Sequence, residues 1–346
     1  MVCIAAFIIL ALLSIFVAAL SIFNRDIGRR YWQTFKKAWG CVWKKLRLQK
    51  CETSFKDDIK NSMLRKVVLK KPALVKPLST LIEIGAVLIV VITVWALLTA
   101  IKSLLALQVF GTCNVLHPSA CSLTSDTCSI EAEPIQGNFI QRWFSEWQEI
   151  FAALPDSFET WHAEDYLTEP YAIVQGHKPD KPLALDILDP MCAACIRSYR
   201  HQLDAGFFED YNTVMILYPI KLSDGTYKYP NSELFTRYFY ATSFINPQVA
   251  TDQLLHKLFT DTNADGINYQ TIFTQLDPLA AEALLQSWLH EFGFSDTEVT
   301  EIISLTSSEQ VLYLIQDVSN IVEQKIHAKN IPTLIYKGKK HHGAFQ

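Results

Sequence analysis

Pro182-Leu183-Ala184-Leu185-Asp186-Ile187-Leu188-Asp189-Pro190-Met191-Cys192-Ala193-Ala194-Cys195-Ile196-Arg197-Ser198-Tyr199-Arg200 is the stretch from which the fold is read. Leu183 to Leu188 is an apolar run of strand length, and Cys195 to Leu203 has the spacing of a helix. Between them stands a Cys-x-x-Cys pair, Cys192 and Cys195. Asp189 is placed to cap the helix, and Pro190 limits how the turn can fold. Amides at a helix N-terminus have no intrahelical partner, and the helix dipole adds partial positive charge there. Both favour a thiolate on Cys192, which makes it the candidate nucleophile. Cys195, three residues on, is the candidate resolving thiol. Asp186, held in an apolar strand, is expected to have a raised pKa and to take the proton of Cys195. The plainer alternatives are a disulfide that only staples the helix start, half of a zinc site, and an exposed strand carboxylate.

Far downstream runs Asn330-Ile331-Pro332-Thr333-Leu334-Ile335-Tyr336-Lys337-Gly338. Asp186, Cys192-Ala193-Ala194-Cys195 and Ile331-Pro332-Thr333, in this order, resemble the thioredoxin superfamily. The resemblance covers roughly 170–346. It implies an α/β thioredoxin-like domain, a redox-active Cys192–Cys195 disulfide, and a cis-proline loop facing it. There Pro332 would pack on the sulfurs, and Ile331 with Thr333 would offer backbone groups to an extended substrate. Helical spacing nearly throughout 232–329 resembles the insertion of the disulfide-oxidase (DsbA-type) branch. The expected helices are 232–245, 247–260, 268–276, 278–292, 295–304 and 307–329. Further strands are expected at 171–175 and 212–220, and a hairpin of 333–336 with 342–345. The resembled family usually adds a helix after that hairpin. Here another segment must take its place, or one face of the sheet lacks that cover.

The remainder of the chain is organised by charge. Of 346 residues half are hydrophobic, and the excess is local. Met1 to Phe23 carries no charge, nor does Ile84 to Ile101; each is about the length that crosses a bilayer as a helix. A cleaved signal peptide is the alternative for the first, but it lacks a basic leader. The expected order is a transmembrane helix at 1–23, a basic cytoplasmic loop at 24–80, and a second transmembrane helix at 81–107. An extracytoplasmic connector at 108–181 and the thioredoxin-like domain at 182–346 follow. Residues 24–79 hold sixteen Lys and Arg against four Asp and Glu, and the part after 108 holds fourteen against thirty. Positive charge stays inside, so both termini are expected outside. A basic loop between two spans is explained by anionic lipid, and nucleic acid is not a partner.

Cys113, Cys121, Cys128, Cys192 and Cys195 then face the side where disulfides persist, while Cys41 and Cys51 lie inside. One pair is expected among Cys113, Cys121 and Cys128, with one cysteine left over. Residues 31–45 alternate aromatic and basic residues at helical intervals, which suits a helix on the inner membrane surface. A second amphipathic helix, capped by Asn138, is expected over 139–153. No cofactor or metal is called for. Asp261-Thr262-Asn263-Ala264-Asp265-Gly266 begins like a calcium loop, but Ile272 stands where a bidentate Glu is needed. His341 and His342, adjacent on a strand, point to opposite faces.

The function implied is a membrane-anchored thiol-disulfide oxidoreductase acting on cysteines of exported proteins. An oxidase is favoured, supplied by a membrane or soluble redox partner. The alternative is a non-enzymatic thioredoxin-like scaffold of the cell envelope with a structural disulfide. Ala193-Ala194 leaves the redox direction open. The topology is tested in intact cells with a membrane-impermeant thiol reagent on single-cysteine chains. Thr300→Cys is expected to label and Lys60→Cys not; the reverse pattern removes the topology.

Overall fold

The computed structural model describes residues 8, 9, 11, 14, 25–47, 75–113, 115, 127–130 and 138–345. The chain divides into two compact units, Met1–Ile101 and Lys102–Gln346.

In the first unit, helix α1 spans Arg25–Leu46. It is longer than the aromatic and basic stretch alone suggested. Neighbours four apart stack along it: Tyr31 on Phe35 at 6.3 Å and Trp39 on Trp43 at 6.2 Å between ring centres. Helix α2, Val75–Phe110, runs on into the second unit. Among the described residues it is the one helix long and apolar enough to cross a membrane. Leu81, Ile84, Val91, Ile92 and Leu104 on it are exposed, whereas a core helix of a water-soluble domain buries such residues. Apart from residues 8, 9, 11 and 14, which are helical, the expected first span lies outside the described residues.

The second unit contains the sheet. Strand β1 is Cys128–Ser129, and helix α3 is Phe139–Ala153, opened by an Asn138 and Gln141 capping box. Then come β2 (Leu183–Leu188), α4 (Ala193–Asp204), α5 (Phe207–Asp210) and β3 (Asn212–Leu217). Four strands lie in the order β3-β2-β5-β6, with β5 at Thr333–Tyr336 and β6 at Lys339–His342. β2 runs parallel to β3 and antiparallel to β5. It is covered on both faces, which is why it reads as one apolar run broken only by Asp186. A short strand β4, Asn330–Ile331, precedes β5 and pairs antiparallel with β1. The Ile331–Pro332 peptide between β4 and β5 is cis.

Strand parity sorts the two faces. Asp186 pairs with Leu334, and Leu334 with His341, so these share the face on which α4 lies. Thr333, Ile335, Lys340 and His342 belong to the opposite face. There the connector takes up the cover: Trp161 is buried in the main core, and Lys340 Nζ lies 4.3 Å from its ring centre. The connector is therefore part of the sheet's own core, which also takes in Ala163 and Val174.

Two strand expectations are corrected. Residues 171–175 form no strand, only an isolated bridge from Ile173 to Val214. Gln175 and Gly176 both have positive φ, which turns the chain away before a ladder can form. The hairpin's second strand is Lys339–His342 and not His342–Phe345. Lys337 and Gly338 both have positive φ, the condition for a two-residue turn, so pairing resumes at once.

The insertion is helical as expected. It holds α6 (Ser232–Ile245), a run through Pro247–Val249, Ala250–Leu255 and His256–Thr260, and then α7 (Tyr269–Phe273), α8 (Pro278–Glu291), α9 (Asp296–Thr306) and α10 (Glu309–Asn320). Asp277, Ser295 and Ser308 cap the last three through their side chains.

Asn212 ties the approach to the sheet onto β3. Its amide donates to Lys178 O at 3.0 Å and Lys181 O at 2.8 Å, and its oxygen accepts from Lys178 N at 2.8 Å. Asn212→Ala leaves these buried groups without partners and is expected to cost about 3 kcal/mol, read as a lowered thermal midpoint.

Candidate active site

The end of β2 and the start of α4 are held by Asp189. Its Oδ1 accepts from Met191 N and Ser232 Oγ, each at 2.8 Å, and its Oδ2 from Ile220 N at 2.8 Å. Asp189 is therefore not the cap of α4. The N-cap is Cys192, which makes no side-chain capping bond and sits at the helix N-terminus. Gln270, reaching in from the insertion, donates to Pro190 O and Cys192 O, each at 3.0 Å.

Cys192 is bonded to Cys128 and not to Cys195. This corrects the expected pairing. The physical reason is the register of β1: Cys128 pairs with Ile331, and Ser129 with Asn330. The ladder thus lays Cys128 beside the cis-proline loop and against the start of α4. Cys195 is a free, buried thiol. Of the three connector cysteines, Cys128 bonds outside the trio. Cys113 is itself disulfide-bonded, and Cys121 lies outside the described residues. Cys192 is fully buried in this state.

Cys195 lies one turn into α4, and its Sγ accepts the amide of Asp189 at 3.4 Å. Burial pushes its thiol well above the usual range, and the carboxylates of Asp189 and Asp186 push the same way. Asp186 is fully buried on the α4 face. Burial raises its carboxyl to about 7, against a hydrogen bond from Gln202 Nε2 at 2.6 Å that favours the charged form. Asp189 is likewise raised by burial, to about 6. Cys195, Ser198 and Gln202 follow one another at three and four residues along α4, so one helical face meets Asp186. That spacing was visible in the sequence; the roles of Gln270, Asp189 and Cys128 were not.

The Ile331–Pro332 peptide is cis, and the strand before it, β4, pairs with β1. Thr333 is fully buried, and its hydroxyl donates to Asn330 O at 2.7 Å, which braces the loop from inside. The loop from Asp261 closes on itself: Asn263 Oδ1 accepts from Asp265 N at 3.0 Å and Ile267 N at 2.9 Å. Among the described residues no three His, Cys, Asp or Glu side chains gather at metal-binding distance.

The burial of Asp186 has a consequence for stability. Its carboxyl holds its proton to about pH 7 when folded and releases it near 3.8 when unfolded. The folded state therefore binds the extra proton between these values, and stability from this group falls as pH rises from about 4 to 7. Asp186→Asn is expected to flatten that fall and to gain on the order of 2 kcal/mol above pH 7, read from thermal melts at pH 5 to 8.

No protein-family model matches the chain, and no curated protein does. Among solved structures it resembles the thiol-disulfide exchange protein alpha-DsbA2 from Wolbachia pipientis. The two are 14% identical over 52% of this chain and 82% of that one, with a TM-score of 0.37. Proteus mirabilis ScsC in a transitional conformation is 14% identical over 60% and 85% of the two chains, also with a TM-score of 0.37. A linker-deletion variant of the same ScsC is 13% identical over 62% and 93%, with a TM-score of 0.36. It is the strand order β3-β2-β5-β6, the helix that begins at Cys192, the cis Ile331–Pro332 peptide before β5 and the helices inserted between β3 and β4 that make this a thioredoxin-like fold.

Proposed function

We propose that this protein is a membrane-anchored thiol-disulfide oxidoreductase acting on cysteine-containing exported proteins. One observation carries the proposal. Cys192 stands at a helix N-terminus in disulfide linkage with a cysteine on an extended segment, and a second thiol, Cys195, waits one turn behind it. Thiol-disulfide exchange needs those three sulfurs.

In the oxidising direction a substrate thiolate attacks Cys192 of a Cys192–Cys195 disulfide. The new bond joins substrate to Cys192, and the electron pair leaves on Cys195. Burial disfavours a lasting thiolate there, so Cys195 takes up a proton, and Asp186, poised near neutrality, is the proposed donor. A second substrate thiolate then attacks the first substrate sulfur and releases Cys192. A membrane or soluble redox partner restores the Cys192–Cys195 disulfide. The cis-proline loop, through Ile331 and Pro332, holds the extended substrate, with Thr333 bracing it from behind. The exposed apolar length of α2 supports a membrane anchor, and the charge asymmetry around it supports an extracytoplasmic domain.

The scaffold reading keeps one supporting observation, the burial of a cysteine already linked to Cys128. Reactivity separates the two. The purified full chain is expected to oxidise a reduced dithiol peptide, with a Cys192–Cys195 potential nearer about −120 mV than about −270 mV. Failure to exchange with peptide or insulin favours the scaffold. In membranes, Cys195→Ser is expected to accumulate mixed disulfides on Cys192, and Cys192→Ser almost none. Equal trapping by both removes the assigned roles.

A further inference from the structure

The connector contributes more than cover to the sheet. Cys128, Ser129 and Ile130 are each less than a tenth exposed and belong to the unit's buried interior. The segment is held as a strand, with Ile130 N donating to Lys329 O at 3.0 Å beyond the two paired residues of β1. Lys228, from the segment after β3, donates to Ser129 O at 2.8 Å and Ser129 Oγ at 3.1 Å. Strand β4 is thus paired by a segment of the same chain, and that segment places a cysteine on Cys192.

A disulfide that only staples a fold has no use for a third thiol behind it. Here Cys195 lies one helical turn behind Cys192, and Asp186 is near enough to act on it electrostatically. Cys195 can therefore expel Cys128 from Cys192 without help from another molecule.

We propose that Cys128 is a third redox cysteine, and that residues 128–130 act as a built-in substrate strand that caps the exchange site. The inference rests on the exchange reading above and adds the control of that site. The step balances internally. Cys195 gives its proton to the Asp186 carboxylate and attacks Cys192; the Cys192–Cys195 bond forms and the Cys128–Cys192 bond breaks. The electron pair leaves on Cys128, which takes up a proton from solvent as Asp186 gives its own back to solvent. One disulfide is present before and after, so no oxidant or reductant is consumed.

The chain then carries one oxidising equivalent in two forms. In the capped form, the one in this structure, Cys192 is out of reach and the β4 edge is filled. In the open form Cys192 is bonded to Cys195, Cys128 is a thiol, and the edge is available to an extended cysteine peptide. A tethered strand competes at an effective concentration on the order of millimolar, so a dilute peptide reacts only with the open fraction.

The test uses the full chain in detergent, equilibrated in glutathione buffers of graded potential, acid-quenched, alkylated and mapped without reduction. The wild type is expected to give both Cys128–Cys192 and Cys192–Cys195 linkages. Their ratio should stay constant across the buffers, because the two forms are isomers of equal oxidation state. Cys195→Ser should give Cys128–Cys192 as the one linkage among these three positions, beside a fraction with Cys192 in external mixed disulfides. Cys128→Ser should give Cys192–Cys195 alone and oxidise a dilute dithiol peptide at least about 10-fold faster than wild type. Adding Cys128→Ser to Cys195→Ser should increase the yield of external mixed disulfides. Absence of the Cys128–Cys192 linkage from the wild type, or an unchanged peptide rate in Cys128→Ser, overturns the cap while leaving the exchange activity in place. A Cys128–Cys192 linkage that no buffer reduces, with no peptide oxidation by either protein, overturns both.

Discussion

The carboxylate of Asp189 is where three segments of the chain meet. It accepts from the turn before Cys192, from the segment after β3 and from the first residue of the helical insertion, while its own amide donates to Cys195. No other residue could be exchanged for it without leaving buried donors unpaired. Burial raises its carboxyl to about 6, while these three bonds, strongest to the ionised form, pull the other way. The arrangement links the exchange turn to the insertion, and Gln270 adds a second link from the same insertion to Cys192 O. The helices between β3 and β4 thus do more than cover the sheet, because they fix the turn from which Cys192 projects.

Around that turn the two sulfurs of the Cys-x-x-Cys pair are treated in opposite ways. Cys192 has the helix N-terminus, which favours negative charge on sulfur. Cys195 has burial and two neighbouring carboxylates, which favour the protonated thiol. Two sulfurs three residues apart are therefore biased in opposite directions by one helix, because one of them lies at its end and the other inside. Asp186 completes the set, since a carboxyl raised to about 7 can both hold and release a proton near neutrality.

The connector changes how the domain is bounded. A segment that composition marks as a loop supplies Trp161 and Ala163 to the core and Cys128 to the disulfide with Cys192. Its strand β1 pairs antiparallel with β4, directly before the cis Ile331–Pro332 peptide. Access to Cys192 and the integrity of that pairing are therefore coupled through one disulfide.

Much of this was legible in the residues themselves. The strand, turn and helix around Cys192 follow from an apolar run, a Pro and a helical spacing over nineteen residues of sequence, all of them local signals. The insertion's helices follow from capping residues such as Ser295 and Asp277, which act within one turn. The cis loop was legible only by resemblance. What tertiary structure alone decided is the pairing of cysteines 64 residues apart and the destination of the Asp189 carboxylate. Spacing favours Cys192 with Cys195 because they are neighbours on the chain; the β1–β4 register favours Cys128 because it is the neighbour in space. A two-residue strand has no periodicity to read, and a ladder between residues some two hundred positions apart forms only once the sheet exists.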